Sequence, residues 1–141
     1  MGTISENFSY KEFEDSDKAK KSHIMNVITD TEVRDSVKAL VLNVLQPLRD
    51  AWGGPLVISS GFRTPKLNRM VGGVETSQHL KGEAADVRCT DPIALARLAM
   101  RLELPYDQMI VYPDFVHFSH KLNGNQRGQL LYNKSYSGPK I

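Results

Sequence analysis

Only one cysteine, Cys89, occurs in the chain, so no intrachain disulfide can form and folding needs no oxidising compartment. A lone cysteine beside a strand reads as a small buried hydrophobe, not as a nucleophile. No basic stretch leads into an apolar one at the N-terminus, and no apolar run approaches the roughly 18 residues of a membrane span. Neither a signal peptide nor a membrane partner is therefore expected. Charge of one sign is also scarce. The formal net charge is +2, and no basic run interleaves with aromatics, so nothing points to nucleic-acid binding. Repeats and low-complexity segments are missing. What remains is ordinary globular composition: 141 residues, 40% of them hydrophobic, enough for one compact domain with its own core.

Residues 1–30 are polar and mixed, with Phe8, Tyr10 and Phe13 expected to pin the segment onto the domain and 15–22 expected as a solvated turn or loop. Residues 31–50 give the clearest helix. Val33, Val37, Leu40, Val41, Val44, Leu45 and Leu48 recur at three- and four-residue spacing, and Asp30 or Thr31 can cap the start. Pro47 is expected to kink or end it early. Residues 56–60 read as a buried strand, Thr64-Pro65 as the start of a short helix ending at Gly72-Gly73, and 74–83 as a loop. Residues 84–89 read as a strand and Asp91-Pro92 as the start of a helix to about Leu102. Two strands follow, 108–112 and 115–121, joined at Pro113-Asp114, with an edge strand at 129–132 and a mobile tail at 133–141. This order predicts an α+β domain whose mainly antiparallel sheet is flanked by helices.

Two stretches carry the chemistry. In the first, strand alternation puts Ala84, Asp86 and Arg88 on one face and Ala85, Val87 and Cys89 on the other. A carboxylate amid small apolar residues needs a partner, which is a bound cation or Arg88. In the second, Phe115, His117 and Ser119 share a face, with Val116 and Phe118 opposite. Taken alone, a mid-strand histidine is more often a hydrogen-bonded core residue than a ligand. His79, on the loop before the first strand, adds a second imidazole. Two imidazoles and one carboxylate form the usual protein share of a catalytic zinc site whose fourth position stays open.

The pattern Ser77-x-His79-x-x-Gly82-x-Ala84-x-Asp86, followed by Phe115-Val116-His117-Phe118-Ser119, resembles the zinc D-alanyl-D-alanine peptidases of the M15 class, relatives of the Hedgehog zinc domain. Ser59-Ser60-Gly61-Phe62-Arg63-Thr64-Pro65 resembles a third segment of that class, and the likeness spans about residues 35–121. The resemblance implies Zn2+ held by His79, Asp86 and His117. It implies that Arg63 holds a substrate carbonyl or carboxylate and that Ser77 contacts the substrate, although Ser77 also reads as a turn hydroxyl. Gly82 would serve backbone geometry. The general base is expected to be Asp114, three residues before His117, in competition with a plain turn role after Pro113. Tyr112 is a second candidate to assist, and His120 is expected at the surface.

The expected substrate is the stem peptide of bacterial peptidoglycan, cut by a D,D-carboxypeptidase or by an endolysin-type endopeptidase. The alternative is a non-catalytic, zinc-stabilised binding or structural module, such as a phage tail or signalling component. A monomer is expected, made in the cytoplasm and reaching the wall by a phage-type lysis route.

Overall fold

The computed structural model describes residues 2–141. The N-terminal segment forms two short helices, α1 (Tyr10–Glu14) and α2 (Asp17–Lys21). The solvated loop expected at 15–22 is therefore a helix. Ser16 caps it by accepting from the Ala19 N–H, and Ala19 is buried beneath it. Phe8 and Phe13 enter the core as expected.

The long apolar stripe folds as α3 (Thr31–Leu40), a π-helical turn (Val41–Leu45) and α4 (Gln46–Trp52) in unbroken succession. Asp30 caps the start through the Glu32 N–H. Pro47 does not end this helix. It falls in the first turn of α4, directly after the π turn, where the wider backbone loop relieves the clash between the ring and the preceding turn. Val37, Leu40, Val41, Val44, Leu45 and Leu48 are all fully buried.

The sheet contains β1 (Val57–Ser60), β2 (Ala84–Arg88), β3 (Gln108–Val111), β4 (Phe115–Ser119) and β5 (Gln129–Tyr132), in the order β1-β2-β4-β3-β5. Helix α5 (Pro65–Met70) follows β1, and α6 (Pro92–Arg101) follows β2. Neighbouring strands are antiparallel except β3 and β5, which are parallel, so the sheet is mixed. The chain leaves β4, passes the start of β3 and enters β5 one position further out, a skip that forces the parallel pairing. Asp107 anchors this crossing, since its backbone bonds to both Ser119 and Gln129. β1 is an edge strand and not the buried one expected; Val57 is 56% exposed. Ala85, Val87, Val116 and Phe118 face the helices and complete the core. The opposite face of β2 and β4 carries Asp86, Arg88, His117 and Ser119, bounded by Ala84 and Phe115. The tail after β5 folds back, with Tyr136 stacked on Tyr132 and the Ile141 N–H donating to the Tyr132 hydroxyl.

Candidate metal centre

Asp86 and His117 are register partners on the central strands β2 and β4. Their side chains leave the sheet on the same face, and His117 Nδ1 lies 2.9 Å from Asp86 Oδ1. The strand alternation expected from the sequence is what brings them together. His79 arrives from a 3-10 turn (Gln78–Lys81), with Nε2 at 3.4 Å from the same carboxylate oxygen. One ligand atom from each of the three residues lies within 4.8 Å of the others. Tetrahedral zinc with bonds of about 2.0–2.1 Å to nitrogen and oxygen requires ligand separations of about 3.3 Å, and the two distances to Asp86 Oδ1, 2.9 and 3.4 Å, lie near that value; two imidazoles and a carboxylate are also the donor types zinc takes.

The turn that carries His79 is held at several points. The Ser77 hydroxyl oxygen accepts from the His79 N–H at 3.2 Å, so Ser77 caps the turn. Gly82 closes it in the left-handed region at φ +72°, against the backbone of α3: a Cβ there would lie 2.7 Å from the Val33 carbonyl oxygen. The ring itself is fixed by the Gly61 carbonyl, which accepts from Nδ1–H at 2.6 Å. That bond leaves the Nε2 lone pair facing Asp86. Burial pushes His79 below its ordinary pKa, against the pull of Asp86, and so favours the neutral ring that a metal requires. Burial alone would raise the Asp86 carboxyl, but the hydrogen bond from His117 and the pull of the two neighbouring imidazoles outweigh it and hold Asp86 well below the usual carboxylate range.

Arg63, not Arg88, is the cation nearest this carboxylate, with Nη2 at 3.9 Å from Asp86 Oδ2. Arg63 is tethered on its other sides. Nε donates to Ser60 Oγ at 3.2 Å, Nη1 donates to Asn68 Oδ1 at 3.1 Å, and its backbone N–H donates to the His79 carbonyl. Asn68 is itself locked, its amide nitrogen donating to the Val74 carbonyl. A Cβ on Gly73 would meet Asn68 Oδ1 at 2.1 Å, so only glycine leaves room for this bracket. Behind Arg63, buried Asn26 donates to the Glu14 and Phe62 carbonyls and accepts from the Thr64 N–H. Sequence reasoning missed both Asn26 and Asn68. An isolated asparagine carries no periodic signal, and its value here lies in bonds to loops distant along the chain.

Asp114 stands exposed in the turn between β3 and β4, outside the His79–Asp86–His117 cluster. Tyr112, just before it, stacks on Phe115 at 4.2 Å between ring centres. Burial raises the Tyr112 hydroxyl above its ordinary pKa and the Asp86 charge adds to this, opposed by a hydrogen bond to Asn133 and by Arg63. Tyr112 therefore feels the metal centre electrostatically. His120, expected at the surface, is 9% exposed, and its Nδ1 has no hydrogen-bond partner among the described residues. The strand ends at Ser119, and the His120 N–H turns inward to the Glu83 carbonyl, which draws the ring under cover.

No helix among the described residues is long and apolar enough to cross a membrane. None of the curated proteins matches the chain. Residues 6–120, however, match the family described as Peptidase M15, a span that takes in His79, Asp86 and His117, Arg63 and both strands that carry the site. The chain belongs to the peptidase M15 family.

Proposed function

We propose that this chain is a zinc metallopeptidase that hydrolyses peptide bonds in the stem peptides of bacterial peptidoglycan, as a D,D-carboxypeptidase or as an endopeptidase of the lytic type. The observation that carries the proposal is the His79–Asp86–His117 cluster with the guanidinium of Arg63 beside it. Three protein donors leave one coordination position free, the arrangement of a catalytic and not a structural zinc. When bound, zinc supplies Lewis acidity to the substrate carbonyl and lowers the pKa of a water molecule to about 7.

The remaining work falls to the chain. Arg63, bracketed by Ser60 and Asn68, holds a carbonyl or terminal carboxylate of the substrate in its planar fork. The Ser77 oxygen accepts from the His79 N–H and keeps its own proton free to donate to the substrate. Asp114 takes a proton from the attacking water and passes it to the departing amine. The water oxygen bonds to the carbonyl carbon, the C–N bond breaks, and the products are a new carboxylate and a free amine. The protein acts as a monomer on wall peptides and engages neither nucleic acid nor membrane.

Purified peptidoglycan digested with the zinc-loaded protein provides the test. New fragments seen by mass spectrometry, absent with Asp114→Asn at unchanged zinc content, support the hydrolase, and their masses identify the bond cut. The exposed position of Asp114 favours one competing reading, a zinc-stabilised binding module without turnover. Absence of new fragments from several wall chemistries with fully loaded protein would decide for that module.

A further inference from the structure

A cavity of about 510 Å3 runs along β1 and touches all four of its residues. Its far wall is formed by the start of α2 and by Leu67 and Val71 around α5. Because β1 ends the sheet on this side, half of its backbone N–H and C=O groups point away from β2, toward the cavity. Just beyond Ser60 the edge is closed, where the Phe62 N–H donates to the Phe13 carbonyl at 2.8 Å. At that closed end the cavity is lined by Arg63, whose other side reaches Asp86. A chain laid along this edge is thus led to the metal centre.

The charges on the cavity are unevenly satisfied. Asp15 on the far wall already pairs with Lys11 at 3.0 Å, which leaves Asp17 as the uncommitted carboxylate there, beside Lys18. Arg88 is exposed, and its side chain makes no hydrogen bond or ion pair among the described residues. It is the register partner of Val57 and lies two residues beyond Asp86, so it shares the face of the metal ligands. Two guanidinium groups, Arg63 at the metal end and Arg88 further along, therefore flank an open strand edge.

We propose that this cavity is a substrate subsite, in which an extended, carboxylate-bearing peptide segment adds to β1 as a short strand and sets its carboxylate on Arg88. The proposal rests on the peptidase reading for the identity of the peptide. Main-chain hydrogen bonds to β1 supply sequence-independent grip, and the Arg88–carboxylate pair supplies selectivity. A charge-assisted pair of this kind is worth about tenfold in affinity.

The test titrates zinc-loaded, 15N-labelled protein with a wall stem tetrapeptide bearing free carboxylates, and with its fully amidated form. Amide chemical shifts report binding, while mass spectrometry of the same samples reports cleavage. The expected result is perturbation of the Val57–Ser60 amides and a preference of about tenfold for the free carboxylate. Arg88→Gln lowers that preference by about tenfold, to whatever Arg63 alone supplies, and Arg88→Lys restores part of it, with the rest of the amide spectrum unchanged. Perturbation that spares β1, or an equal preference in Arg88→Gln, overturns the subsite. Binding along β1 without cleavage would uphold the subsite and remove the hydrolase. Cleavage indifferent to Arg88 would do the reverse.

Discussion

His79 and Gly61 are joined by a 2.6 Å bond from the imidazole Nδ1 to the backbone carbonyl, made from the strand-end segment that also carries Arg63. The Arg63 N–H returns a bond to the His79 carbonyl. The candidate ligand His79 and the neighbouring Arg63 are thereby cross-tied through the main chain, and disturbance of one element is transmitted to the other.

Loss of a ligand should be felt first in metal content. Asp86→Asn keeps the shape but removes the negative charge shared between both imidazoles. Zinc affinity is expected to fall by at least about 10–100-fold, the range that even outer-shell changes produce. Competition with a chelator of known affinity measures it. Chelation of the wild type should abolish peptide cleavage, and added zinc should restore it.

Gly73→Ala tests the bracket behind Arg63 without touching a ligand. The new methyl collides with Asn68 Oδ1, and Asn68 must release Arg63. Zinc content should remain at the wild-type level while kcat/KM for wall fragments drops by about 10-fold or more, the cost of one charge-assisted bond. Metal analysis and steady-state rates on the same preparation separate the two effects.

Two glycines with nearly the same backbone angle should behave differently. Gly53 and Gly82 have φ of +76° and +72°, but a Cβ on Gly53 meets nothing within 4 Å. Gly53→Ala is expected to cost about 1–2 kcal/mol, the left-handed penalty alone. Gly82→Ala adds collision with Val33 and Val37, about 1–3 kcal/mol more, and also weakens zinc binding because the turn holding His79 must move. Urea denaturation of both variants supplies the comparison.

The buried carboxylate of Asp107 contributes to acid stability away from the metal centre. Burial raises its pKa, but hydrogen bonds from the Arg127 side chain and backbone, the Arg127 charge and Gln78 overcome this and bring it to about 2. A depressed value in the folded state means that the stabilisation is complete above the unfolded value of about 3.8 and drains away as pH falls toward 2. Asp107→Asn should lose on the order of 2–3 kcal/mol at pH 7 and flatten the decline between about pH 4 and 2. Urea midpoints measured across that pH range show whether it does.

Much of the site was legible because strands alternate. The face shared by Asp86 and its neighbours, and the one carrying His117, follow from a period of two, and His79 stands in a motif with Gly82. The pairing of Asp86 with His117 across the sheet was not legible, since register depends on which strands become neighbours. The parallel β5 was hidden for a related reason: residues 120–128 do not announce that they skip a strand. Helix α2 was missed because its five residues are mostly charged. It exists through the Ser16 cap and the burial of Ala19, which are tertiary effects. Pro47 misled because a widened turn just before it removes the usual objection to proline.

Asp86 and His117 owe their spacing to the lattice of two adjoining central strands, each backed by fully buried side chains. Two of the three donors are thus set by strand pairing, and only the third, His79, depends on a turn held from outside the sheet. Exchange of one divalent cation for another should therefore leave the Asp86–His117 spacing in place and be absorbed at His79.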